Sequence, residues 1–175
     1  MTSNQTIVIT GFMGCGKTEV ARCLAQHLNV QLHDLDKLIA EREGRTAAQL
    51  IREQGERVFR TIETETLRSL LSTPADSVIA LGGGAWIESN NRDLLDQSGA
   101  LSVWLDVPFE VCWDRIKVSA EDRPLGSSEE QARELYGRRL PIYALARVRV
   151  KASAADEPEK LALFIATECR SSGCR

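Results

Sequence analysis

The chain has 175 residues, 43 % hydrophobic and 27 % charged, with a net charge of −3. This balance fits one globular domain, 1–175, and excludes a disordered chain or one that binds nucleic acid through an overall basic field. No run approaches the ~18 apolar residues of a membrane span, and the five cysteines, odd in number and without C-x-x-C spacing, exclude a disulfide framework or a zinc site.

MTSNQ lacks the basic and apolar regions of a signal peptide, so a cytoplasmic chain with free thiols is expected. TIVIT (6–10) reads as a strand buried on both faces. GFMGCGKT (11–18) follows, with the spacing G-x4-G-K-T. Glycines let several N–H groups curl into one concavity, and the next helix adds the positive end of its dipole. Gly14, Cys15, Gly16, Lys17, Thr18 and Glu19 are therefore expected to bind a nucleoside triphosphate, with Lys17 on the outer phosphates and Thr18 on Mg2+. Val20, Ala21, Leu24, Ala25 and Leu28 form the apolar stripe of that helix.

VQL (30–32) reads as a second strand, followed by His33-Asp34-Leu35-Asp36. Asp34 and Asp36, two apart in an extended chain, would share one side, suited to Mg2+ through water and to accepting a substrate proton. A helix-rich stretch spans about 35–72, broken at Gly44 and Gly55 and closed by Pro74. Within it Arg60 lies one turn from Glu63. SVIAL (77–81) is a third strand running into Gly82-Gly83-Gly84, a triplet whose entropic cost points to close backbone approach to a ligand. Residues 89–97 read as a helix with Ser89 as N-cap, and ALSVWL (100–105) as the fourth strand. Pro108 opens another helix, and 118–128 is a polar loop carrying Arg123. A helix from 129 bends or ends near Pro141, RVRVKA (147–152) is the fifth strand, and a last helix starts near Pro158. Trp86, Trp104 and Trp113 are expected to pack, Trp86 alternatively lining a pocket, and His27 and His33 receive no catalytic role. Alternation of strands and helices implies a parallel five-stranded sheet with helices on both faces and ligands at the strands' carboxyl ends.

With these motifs in view the chain resembles the shikimate kinase family. The resemblance covers about residues 6–150 and rests on GFMGCGKT, DLDKLIAEREGRTAAQLIREQGERVFRTIETETL, ALGGGAW, RPL and RRLPIY in that order. It implies a three-layer P-loop kinase fold with a substrate-binding helical region at about 35–72 and a mobile lid at about 118–130. The implied reaction is transfer of a phosphoryl group from ATP, with Mg2+, to the 3-hydroxyl of shikimate. Lys17 and Thr18 match the phosphate-loop lysine and the magnesium ligand. Asp34 matches the acid supporting Mg2+ through water. Asp36 matches the carboxylate on the substrate hydroxyls that can act as base. Arg60 and Arg139 match the pair gripping the substrate carboxylate, and Gly82, Gly83 and Gly84 the loop beside the ring hydroxyls. Arg123 matches the lid arginine at the γ-phosphate, and Arg115 an arginine near the adenine.

The chain departs from the family pattern at Gly126, after Arg123-Pro124-Leu125; at Ile51, where an aromatic is frequent; and in KASAAD (151–156), which lacks an arginine. Rival readings are a kinase for aminoshikimate, quinate or gluconate, a nucleoside-monophosphate kinase, an inactive homologue, and a nucleotide-binding module that is not an enzyme. A GTP switch is disfavoured: Asp96-Gln97-Ser98-Gly99 fits D-x-x-G but follows a helix, and there is no N-K-x-D. With its own lid, a chain of this size is expected to work as a monomer.

Overall fold

In β1 (Thr6–Thr10) the successive residues Ile7, Val8, Ile9 and Thr10 are all buried. Neighbouring strand residues point to opposite faces, so both faces of the sheet are covered there. The structure, a computed structural model, describes residues 5–73, 75–118 and 128–172. β1 pairs in parallel with β3 (Ser77–Ala80) on one side and β4 (Leu101–Asp106) on the other, with Ile7 opposite Val78 and Leu101. β2 (Gln31–Asp34) extends the sheet beyond β3, and β5 (Val148–Lys151) beyond β4. The order is β2-β3-β1-β4-β5, all parallel.

α1 (Lys17–Leu28) buries Val20, Ala21, Leu24 and Ala25 and packs against α8 (Pro158–Ser172), which contributes Ala162, Ile165, Ala166 and Cys169. The 35–72 stretch is three helices, α2 (Leu35–Glu43), α3 (Ala47–Gln54) and α4 (Glu56–Leu71). Thr46 closes a capping box with Gln49 at the start of α3. After β3 come a 3₁₀ turn (Ala85–Ile87) and α5 (Ser89–Gln97); α6 (Phe109–Val118) and α7 (Glu129–Tyr143) complete the fold. Among the described residues no helix is long and apolar enough to cross a membrane. Cys15, Cys23, Cys112 and Cys169 are free and buried.

Two local expectations are corrected. Glu88 rather than Ser89 stands at the N-cap of α5, with no side-chain cap hydrogen bond, because Ser89 has already entered the helix. β2 runs two residues past its expected end, so His33 and Asp34 belong to the strand. α7 ends at Tyr143, two residues past Pro141 and so near it as expected. Pro74, Arg123 and most of the expected lid lie outside the described residues.

Candidate active site

The segments leaving β1, β2 and β3 at their carboxyl ends, with α3, α4 and α7, enclose a cavity of about 820 Å³. The loop after β1 turns with Gly14 and Gly16 at φ 75° and 93°. A Cβ on Gly14 would lie 2.6 Å from the Cys112 carbonyl oxygen, so only glycine lets the loop lie against α6. Gly16 caps α1 with no side-chain hydrogen bond, which leaves the helix's first N–H groups to an anion. Lys17 curls back over the loop, its Nζ donating to the Phe12 carbonyl at 2.8 Å. Arg115 braces the loop from α6 through Nη1, which donates to the Cys15 carbonyl at 3.2 Å and the Gly14 carbonyl at 3.4 Å.

Asp34 does two things at once. Its Oδ1 accepts the Lys37 N–H and caps α2, while its Oδ2 accepts the Thr18 hydroxyl at 3.0 Å. A hydroxyl beside a carboxylate is a hard oxygen pair that fits Mg2+. Among the described residues no group of three or more His, Cys, Asp or Glu could hold a metal ion. An ion at Thr18 and Asp34 would therefore draw its other ligands from water or phosphate.

The expected extended pairing of Asp34 with Asp36 does not occur. Asp36 lies in the first turn of α2, and both carboxylates line the cavity from a strand-to-helix corner. Asp36 lies directly beneath the glycine loop: a Cβ on Gly82 would come 2.5 Å from its Oδ1. A Cβ on Gly84 would come 2.7 Å from Arg60 Cζ. The Asp36 carboxylate and the Arg60 guanidinium thus sit directly against Gly82 and Gly84, and a side chain at either glycine would displace them.

Arg60 and Arg139 bring positive charge to the same cavity. Arg60 is held by Glu56 at 3.0 Å and by both oxygens of Glu63 at 2.8 and 3.1 Å. Arg139 is 8 % exposed, and its Nη1 donates to the Gly83 carbonyl at 3.0 Å. Of the sequence-derived site residues, Gly14, Gly16, Lys17, Thr18, Glu19, Asp34, Asp36, Arg60, Gly82, Gly83, Gly84 and Arg139 line the cavity. Cys15 is buried behind the loop and Arg115 bonds the loop's carbonyls, so neither lines it. Trp86 is buried and packs, with its Nε1 donating to the Ile142 carbonyl at 2.9 Å.

Glu63, which the sequence suggested only as a neighbour of Arg60, lines the cavity and is 1 % exposed. Its signal was present: Phe59, Ile62, Glu63, Thr66 and Leu67 follow the buried stripe of α4. Burial pushes the Glu63 carboxyl up to about 7, against the opposing pull of Arg60. The folded protein therefore binds a proton here that the unfolded chain releases near 4.5. The associated stability is present below pH 4.5 and lost as pH rises through about 7. Thermal melts should accordingly show Glu63→Gln gaining several degrees on the wild type as pH rises across that window. A constant gap between the two would contradict the burial of this charge.

Comparison with known proteins identifies the family and the fold. The family model described as "Shikimate kinase" matches residues 13–170. The shikimate kinase of Sulfurihydrogenibium sp. is 36 % identical over 149 residues, covering 85 % of this chain and 88 % of the relative. That of Geobacter sulfurreducens is 38 % identical over 167 residues, covering 92 % and 91 %. The Acinetobacter baumannii shikimate kinase, solved in complex with shikimate, superposes with a TM-score of 0.89 at 31 % identity, covering 99 % of this chain and 97 % of that one.

Proposed function

The chain belongs to the shikimate kinase family, and on that premise we propose that it transfers the γ-phosphoryl group of ATP to the 3-hydroxyl of shikimate, giving shikimate 3-phosphate and ADP. The observation that carries this reading is the meeting of Arg60, Arg139 and Asp36 around one cavity beside the Lys17 loop. Two guanidinium groups suit a carboxylate, an acid with glycine backbone suits vicinal hydroxyls, and a phosphate loop alone would require neither.

In this reading the loop N–H groups and Lys17 hold the phosphates, and Lys17 follows the charge that develops on the moving group. Arg60 and Arg139 grip the acid and so fix which hydroxyl faces the phosphate. Asp36 orients that hydroxyl and accepts its proton as the new P–O bond forms. Mg2+, when bound, neutralises phosphate charge; Thr18 would hold it directly and Asp34 through water. Arg115 acts as a brace for the loop. The lid role of Arg123 rests on its motif alone. Four buried free thiols suit a reducing compartment such as the cytoplasm.

Steady-state kinetics on Arg139→Ala test the assignment of the carboxylate grip. KM for shikimate should rise about 30-fold or more, while KM for ATP changes less than about threefold. Equal losses for both substrates would contradict it.

A further inference from the structure

Arg139 and Tyr143 are one turn apart on α7, and both reach back to the same acceptor. Arg139 Nη1 and the Tyr143 hydroxyl donate to the Gly83 carbonyl at 3.0 and 2.7 Å. A carbonyl oxygen offers two lone pairs, and here each has a donor. A third bond ties the same two segments in the opposite direction, from Trp86 Nε1 to the Ile142 carbonyl at 2.9 Å. The far side of the glycine loop is anchored as well. Asn91 Nδ2 donates to the Ala85 carbonyl at 2.9 Å, and Arg92 Nη1 donates to those of Trp86 and Ile87. Gly83 and Arg139 line the cavity, whereas Tyr143 is fully buried outside its lining, its ring stacked on Trp104 at 6.2 Å.

We propose that Tyr143 is a positioning residue for acceptor binding, acting through the Gly83 carbonyl on Arg139. The proposal rests on the functional reading above. With the hydroxyl in place, the carbonyl keeps one direction and engages one amino group of Arg139. The rest of the guanidinium is thereby held toward the acid of the acceptor. Without the hydroxyl, the carbonyl is free to swing, and Arg139 loses the fixed point that sets its fork. None of these hydrogen bonds reaches the phosphate loop, although Gly83 packs near Met13 of that loop, so the effect is expected mainly on the acceptor.

Tyr143→Phe removes only the hydroxyl and keeps the ring on Trp104. Calorimetric titration with shikimate in the absence of nucleotide, together with steady-state kinetics, reads the effect. Kd and KM for shikimate should rise about tenfold, with KM for ATP within about twofold. In an Arg139→Lys background the same change should have less than half that effect in logarithmic terms, because the two residues act as a unit. Trp86→Phe, which removes the reciprocal bond, should raise KM for shikimate in the same selective way, and it serves if Tyr143→Phe does not fold. A Tyr143→Phe protein that melts earlier but binds shikimate like the wild type has lost only packing, and the proposal falls. Wild-type protein that binds no shikimate overturns the functional reading, and this proposal with it.

Discussion

Lys17→Ala should lower kcat roughly 10²–10³-fold, since the role proposed for its ammonium is to stabilise charge that grows as the phosphoryl group moves. Lys17 opens α1 and reaches back across the loop to the Phe12 carbonyl, with Cys15 Sγ at 3.8 Å. Both partners are weak compared with a triphosphate, so the amine is poised to exchange them for phosphate oxygens. Lys17 is half-buried and the loop is shaped by Gly14 and Gly16, so alanine should leave the fold intact. Folding is checked by thermal melting and turnover by ADP release. Turnover within about threefold of wild type would remove Lys17 from the chemistry.

Asp36→Asn should lower kcat about 10³-fold while nucleotide affinity stays near that of wild type. The substitution keeps shape and removes the charge proposed to accept the proton. Asp36 fits under Gly82, so the side chain is held where an acceptor hydroxyl would lie against the glycine loop. Asp34 and Thr18, which bond each other and are proposed to serve the nucleotide side, are untouched. The expected pattern is therefore lost kcat with normal ATP binding. A parallel loss of ATP affinity would mean that Asp36 serves the nucleotide side, and the division of labour between the two aspartates would be wrong.

The phosphate loop was legible because its glycines and Lys17 are consecutive in sequence and their role depends on local backbone geometry. The buried strands were legible for a similar reason, since unbroken apolar runs such as Ile7–Ile9 need cover on both faces. Strand order was not legible, because it depends on pairings across long intervals such as Thr6 with Ser77. The two aspartates share one cavity, but not through the expected geometry. An extended pair was expected, but Asp34 ends a strand and caps a helix, and Asp36 is already helical. Glu63 was underrated because an i, i+3 ion pair is usually a surface feature, and only packing puts it at 1 % exposure. Tyr143 ends the RRLPIY motif, but its hydrogen bond was not legible, since its partner is a carbonyl 60 residues away.

The central claim is that the acceptor is shikimate, and the most direct test is ADP release with ATP and Mg2+, with and without shikimate. Quinate, gluconate and nucleoside monophosphates are run in parallel as competing acceptors. The predicted result is ADP release that depends on shikimate, with at most a few per cent of that rate from the others. Equal or faster release with another acceptor, or none with shikimate despite tight ATP binding, would contradict it.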